Sequence, residues 1–394
     1  MTRYAEKLTA ITGIGMSDIS RGAGVSALSL TIDAALEAIS DAGLSREDID
    51  GMATWPGERG DGSGFSDVGI PALQDALRLK LGWYSNASET AGQFGALFNA
   101  IGAIAAGYCR HVLVFRTMYE ASARKTGFAN ALNRPGDRVF GPFSWFAPYH
   151  AYAPVLQQAL MFNLYTHRSG MTDEQRAWIA ITQRDNAALN PRAVFRDPIT
   201  VDDFMASPVL CTPVRMLDCD VHIDGAAAVV LSHVDAARDL PKPLTRIEAV
   251  GTSMRYRNSW TQLEPFDIQC QPLVAEDMWN RTDLTIKDVD MGQLYNGFSF
   301  HTINWLENLG VCDRYGAKDF IDGGRNIARD GVFPINTDGG AMSAGRMHAY
   351  GQVHEAVTQL RGDGGERQVP GDPRVAVMTT AGGPLAGAFL LVRE

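Results

Sequence analysis

Cysteine is scarce in this chain: five among 394 residues, at Cys109, Cys211, Cys219, Cys270 and Cys312. An odd, scattered set offers no disulfide framework and fits reduced thiols, so the expectation is a cytoplasmic protein. Basic excess is also lacking. The formal net charge of −10 repels a polyanion and excludes a generic nucleic-acid backbone binder. No long apolar run is present, because the longest weakly polar stretch, 97–107, is about half of the roughly 20 residues a membrane-spanning helix needs. The segment from Met1 to Lys7 has no apolar signal-peptide core, so secretion is not expected. The glycine-rich stretch 57–64 lacks the Lys-Ser/Thr of a phosphate loop, and Cys219, His222 and Asp224 lack a second ligand pair, so no metal site is expected.

What is there reads as an ordinary folded chain, large enough for two or three units on a prior of about 150 residues each. Leu8 to Gly15 alternates apolar residues and ends in glycine, as a strand entering a loop does. Ser26 precedes a helical pattern through Leu28, Leu30, Ile32, Ala35, Leu36 and Ile39 that ends near Gly43. An acidic turn, Leu44…Glu47-Asp-Ile-Asp50, then leads into a short apolar strand. The same order recurs in the second half, where Leu284…Lys287-Asp-Val-Asp290 repeats the turn. Both halves finish alike, in Asp224-Gly-Ala-Ala-Ala and in the small-residue run after Gly383. We read an internal duplication with halves 1–240 and 241–394, joined where Pro241 and Pro243 stop regular structure. Alternating strands and helices make each half α/β. The helix expected over 91–107 is lined with alanine and glycine, as a helix buried between layers would be.

The first half carries an insertion, 117–191, that opens on Phe140, Phe143, Trp145, Phe146, Tyr149 and Tyr152. Two readings fit these aromatics: a folded-in loop with its own small core, and an apolar lid over a bulky substrate or a dimer interface. Beyond them, Pro154 opens a helix closed by Gly170, and Thr172…Gln175 is a capping box for the next.

Five segments in order carry a resemblance to the thiolase superfamily, and within it to the sterol-carrier-protein and lipid-transfer-protein types. They are Pro213-Val-Arg-Met-Leu-Asp-Cys219 with Asp224-Gly-Ala-Ala, Leu294-Tyr-Asn-Gly-Phe298, Leu306-Glu-Asn-Leu-Gly310, Pro334-Ile-Asn-Thr-Asp-Gly-Gly340 and Glu355-Ala-Val-Thr-Gln-Leu-Arg-Gly362. The resemblance implies a duplicated five-layer α/β/α/β/α fold, a homodimer and an acyl-CoA thioester substrate. It does not by itself imply acyl transfer. Thr90 stands where a thiolase places its cysteine nucleophile, Tyr295 and Arg346 stand where it places histidines, and no cysteine occupies the C-terminal loop 381–385.

The chain is closer to the branch that cleaves steroid side chains by a retro-aldol step. That step needs a base for the β-hydroxyl, an acid for the enolate carbon and donors for the enolate oxygen, with no cofactor beyond CoA. The branch's tyrosine matches Tyr295. Its second tyrosine is replaced by Arg346, with His348 kept two residues on, and its Asp-His pair becomes Asn296-Gly297. The expected catalytic group is therefore Tyr295 aided by His348 and Arg346, the arginine lowering the phenol's pKa by its charge. Expected substrate contacts are Thr90, Glu89, Asn296, Phe143, Trp145 and Phe146. The resemblance also implies a separate OB-fold and zinc-ribbon partner protein. A non-enzymatic acyl-CoA or lipid-binding subunit is the competing reading.

Overall fold

The computed structural model describes residues 4–87, 90–125, 143–149, 151, 153–255, 269–382 and 385–394. The expected contact Glu89 and the side chains of Phe143 and Trp145 lie outside the described residues. The first strand, β1 (Thr9–Met16), is buried along its whole length and leads to α1 (Ala27–Asp41), whose N-cap Ser26 accepts from the Ser29 amide. Next come β2 (Gly51–Thr54), α2 (Ile70–Leu77), β3 (Trp83–Asn86), α3 (Gly95–Ala105), β4 (His111–Tyr119) and α4 (Glu120–Lys125). A small hairpin, β5 (Val209–Cys211) and β6 (Val214–Arg215), precedes β7 (Asp224–His233). The second half supplies β8 (Thr245–Ser253), β9 (Met291–Gln293), β10 (Val375–Gly382) and β11 (Leu385–Arg393).

Nine strands hydrogen-bond in the order β3-β2-β4-β7-β1-β8-β11-β10-β9. The order is symmetric about the β1–β8 pair, which is joined only through Ala10–Arg246 and Ile11–Thr245. Outward from that seam, β7 and β4 on one side match β11 and β10 on the other, all antiparallel. Then β2 and β9 add in parallel, and β3 is matched by a parallel bridge between Gly292 and Ile335. The duplication read from the sequence is thus a duplication of strand order and direction.

The repeated acidic turn has a mechanical reason. Asp48 and Asp288 each close a one-turn helix by accepting from the Ser45 and Thr285 amides. Two residues later Asp50 accepts from the Arg110 and His111 amides, and Asp290 from those of Arg374 and Val375. Each aspartate thereby ties its own short strand to the start of β4 or β10.

Helices complete five layers. The helix α1 covers the outer face of β1, β4 and β7, and Gln271–Trp279 covers β8 and β11. Between the two halves of the sheet lie α3 and its counterpart Tyr350–Arg361. Phe94 and Phe98 pack edge-on against Phe389 of β11, with ring centres 4.9 and 5.0 Å away, and Arg361 donates to the Thr12 carbonyl of β1 at 2.8 Å. The middle helix begins later than the sequence pattern implies. Gly92 sits at φ +56°, outside right-handed helical space, and a Cβ there would meet the Ala381 Cβ at 2.9 Å, so a 3₁₀ turn over Gly92–Phe94 precedes α3.

The inserted helices Pro154–Ser169 and Asp173–Ala188 form where Pro154, Gly170 and the Thr172–Gln175 box place them. They pack on the second half. Phe162 stacks on Phe300 at 4.8 Å, and Asn186 donates to the carbonyls of Ile335 and Asn336.

Candidate active site

Beyond β9 the chain turns through Leu294-Tyr-Asn-Gly297, and hydrogen bonds from several elements hold the turn. The Leu294 amide donates to the Asn336 side chain and the Tyr295 amide to Thr379 Oγ1. Asn296 donates to the Gln183 side chain of the inserted helix and accepts from the Ala341 amide and Gln352. Its carboxamide therefore braces the turn against the inserted helix and the Ala341 and Gln352 groups. Gly297 lies under the Tyr295 ring, where a Cβ would come within 2.8 Å of Oη.

A second segment is laid against this turn. The Asp220 amide donates to the Gly297 carbonyl, the Val221 amide to that of Ala341, and the Arg346 amide to that of Val221. These three backbone bonds bring Tyr295, Asp220 and Arg346 to one place. Arg346 bonds Glu120 through Nη2 and reaches Asp220 through Nη1 at 3.5 Å. Glu120 opens α4, its own amide held by the Ile223 carbonyl. From the first half, Gln93 aims Nε2 at the Tyr295 hydroxyl across 3.5 Å and accepts a bond from Thr380.

Electrostatics reverse one expectation. Burial raises the Tyr295 pKa, and the Asp220 charge adds to that; the opposing pull of Arg346 is outweighed. The phenol is therefore a proton donor at neutral pH. Burial disfavours the Arg346 cation, but the carboxylates of Asp220 and Glu120 more than compensate and hold it charged.

His348 is built differently from the role expected of it. It lies buried against Trp55 and Phe65, and its Nδ1 accepts from Arg116 Nη2 at 2.9 Å. Arginine has no acceptor, so Nδ1 is unprotonated and the neutral ring carries its proton on Nε2. Burial, then the charges of Arg116 and Arg346, keep its pKa well below the ordinary histidine value. Arg116 in turn donates to the carbonyls of Trp55 and Phe65. His348 thus fastens two loops together beside the site.

Thr90 turns its hydroxyl back onto its own turn, donating weakly to the Gly92 carbonyl at 3.4 Å. Of the aromatic loop, Phe146 is half-buried and Tyr149 is exposed. The residues passed over as a metal set are dispersed to other duties. Asp224 accepts from Ala23 and Ser122, His222 from Arg124, and the Cys219 thiol donates to the Arg215 carbonyl. Sequence reasoning missed Gln93, Glu120, Asp220 and Arg116. Only Arg116 left a signal, as a charge closing the apolar run 112–115 of a buried strand.

A duplicated five-layer α/β/α/β/α architecture, with polar groups converging from both halves behind the middle helices, defines a thiolase-fold protein. Residues 257–394 match the family described as Thiolase C-terminal domain-like. The chain is 33% identical to the 17-hydroxy-3-oxo-4-pregnene-20-carboxyl-CoA lyase of Mycobacterium tuberculosis, over 97% of this chain and 98% of that one. It is 31% identical to the steroid side-chain-cleaving aldolase of Thermomonospora curvata, over 97% of each. The solved Ltp2-ChsH2(DUF35) aldolase superposes with a TM-score of 0.87 at 28% identity, covering 99% of both chains. The chain belongs to the thiolase superfamily, in the sterol-carrier-protein and lipid-transfer branch that contains the steroid side-chain-cleaving aldolases. Among the described residues no helix is long and apolar enough to cross a membrane.

Proposed function

We propose that this protein is an aldolase-type carbon–carbon lyase that cleaves a bulky, steroid-like β-hydroxyacyl-CoA to a ketone and a short acyl-CoA. The observation that carries the reading is the exchange of groups at the site. Where acyl transfer would need a thiolate, Thr90 offers a hydroxyl bonded to its own turn, while a buried, protonated Tyr295 stands ready as an acid. Retro-aldol cleavage is redox-neutral and forms no covalent enzyme intermediate, so it calls for no cofactor beyond the CoA of the substrate. Tyr295 protonates the enolate carbon, and Arg346 supplies positive charge where the enolate develops. His348 acts through Arg116 on the loops beside them. The aromatic loop, with Phe143, Trp145 and Phe146, receives the apolar skeleton.

The protein would act in the cytoplasm as a homodimer, together with an OB-fold and zinc-ribbon protein. The name of the solved Ltp2-ChsH2(DUF35) aldolase, which pairs two components, supports a partner of that kind. The test is incubation with 17-hydroxy-3-oxo-4-pregnene-20-carboxyl-CoA, with and without such a partner. The expected result is a 17-ketosteroid and propionyl-CoA, with turnover lost in Tyr295→Phe. Tight binding of the ester without turnover under either condition would leave the protein a binding subunit.

A further inference from the structure

A retro-aldol step begins with a base, and the histidines near the site are otherwise engaged. His348, first expected to assist, is fastened to Arg116, and His222 is bonded to Arg124 at 2.6 Å. Burial, helped by Arg346 and Arg124, pushes His222 down to about 2, and burial pushes His301, beside the Tyr295 ring, down to about 3. Tyr295 holds its proton. Two carboxylates remain at the convergence point, and they are not equivalent. Glu120 is the tight partner of Arg346 at the root of α4. Asp220 is the loose one, its carboxylate bonded by Arg346 at 3.5 Å and by no other side chain among the described residues, with 10% of its side-chain surface open. Its backbone is fixed to Gly297, the residue directly beneath the Tyr295 hydroxyl.

We propose that Asp220 is the general base of the cleavage, held in place by Arg346, which Glu120 anchors. The proposal rests on the aldolase reading given above. One oxygen of the Asp220 carboxylate takes the β-hydroxyl proton as that oxygen's electrons form the ketone. The Cα–Cβ bond breaks, and its electron pair passes into the thioester as an enolate. Tyr295 delivers its phenol proton to Cα, completing the short acyl-CoA. Asp220 then returns its proton to the phenolate, so both side chains end as they began and nothing is oxidised or reduced.

The electrostatic setting suits the task. Among the described residues, Arg346, Glu120 and Arg124 act electrostatically on Asp220, and Tyr295 and the Cys219 thiol feel its charge. Burial pushes its pKa up to about 6, Glu120 adding to the rise while Arg346 and Arg124 oppose it. The group is ionised at neutral pH yet more basic than an ordinary carboxylate.

The experiment measures kcat and KM against pH for the full chain, with its OB-fold partner and the same steroid ester. Asp220→Asn should lower kcat by roughly 10²–10⁴-fold with KM little changed, and Asp220→Glu should recover part of the loss. The wild-type kcat should fall on the acid side with a midpoint near 6. Glu120→Gln should move that midpoint downward, because it removes the negative charge that raises Asp220. A folded Asp220→Asn protein that keeps more than a tenth of the activity would overturn the assignment, as would an acid limb unmoved by Glu120→Gln. If the wild type cleaves no ester at all, the aldolase reading falls and takes the assignment with it. Cleavage by the wild type with an indifferent Asp220 overturns the assignment alone.

Discussion

Tyr295 is held by what is missing beneath it. A side chain at 297 would occupy the space of the phenol, since a Cβ there lies 2.8 Å from Oη and 2.9 and 3.0 Å from ring carbons. Gly297→Ala should therefore displace the acid without touching any charge. A shift of about 1 Å at a reacting group costs on the order of 10²-fold. The steroid-ester assay should show kcat down by about that factor, with thermal unfolding lowered only slightly. An unchanged kcat would mean that the Tyr295 hydroxyl takes no part. The same glycine explains why the sequence misled in part. Asn296-Gly297 reads as the loss of a polar pair, whereas the asparagine braces the turn from three sides and the glycine seats the tyrosine. Asp220 and Glu120 were illegible for a different reason. Single carboxylates in loop and helix-start positions have no periodicity, and their meaning comes from Arg346, which is 126 and 226 residues away along the chain.

Elements repeat more faithfully than residues do. Strand β1 is pressed so closely by α1 that a Cβ at Gly13 or Gly15 would run into the carbonyls of Ala38 or Ala34. Its counterpart β8 meets Gln271–Trp279 in the same manner, with a Cβ at Gly251 running into the Val274 carbonyl. The obstacle in each case is helix backbone, which cannot rotate aside, so the helix itself must lift from the sheet. Gly15→Val and Gly251→Val should each cost about 3 kcal/mol or more in urea unfolding, and similar losses from both would reflect the duplicated packing. A loss below about 1 kcal/mol at either site would show that the helix yields cheaply. These elements were legible because their signals are local: an N-cap serine, an alternating run, an aspartate two residues after a capping turn. The inserted helices were legible as helices for the same reason. Their destination was not, because the docking of Phe162 on Phe300 and of Gln183 on Asn296 depends on surfaces more than 100 residues apart.

At the scale of the whole molecule, the two halves own the site jointly. Gln93, Glu120 and Asp220 come from the first, and Tyr295, Arg346, His348 and Thr380 from the second. The middle layer is shared in the same way, with Phe94 and Phe98 against Phe389, and Arg361 bonded to Asp41 and the Thr12 carbonyl. Separated, each half would expose to water the face of its own middle helix that now packs against the other half. Apolar burial drives folding at roughly 25 cal/mol per Å², and a half parted from the other loses the share of its core that the shared middle layer supplies. The prediction is that 1–240 and 241–394, expressed separately, each fail to give a soluble cooperative unit. Co-expressed, they should associate into one particle that binds the steroid CoA ester. Gel filtration and thermal unfolding of the separate and combined pieces decide the matter. A first half that is monomeric and unfolds cooperatively alone would show that its core closes without the second. In that case the junction would serve to assemble the site and would not be needed to stabilise the fold.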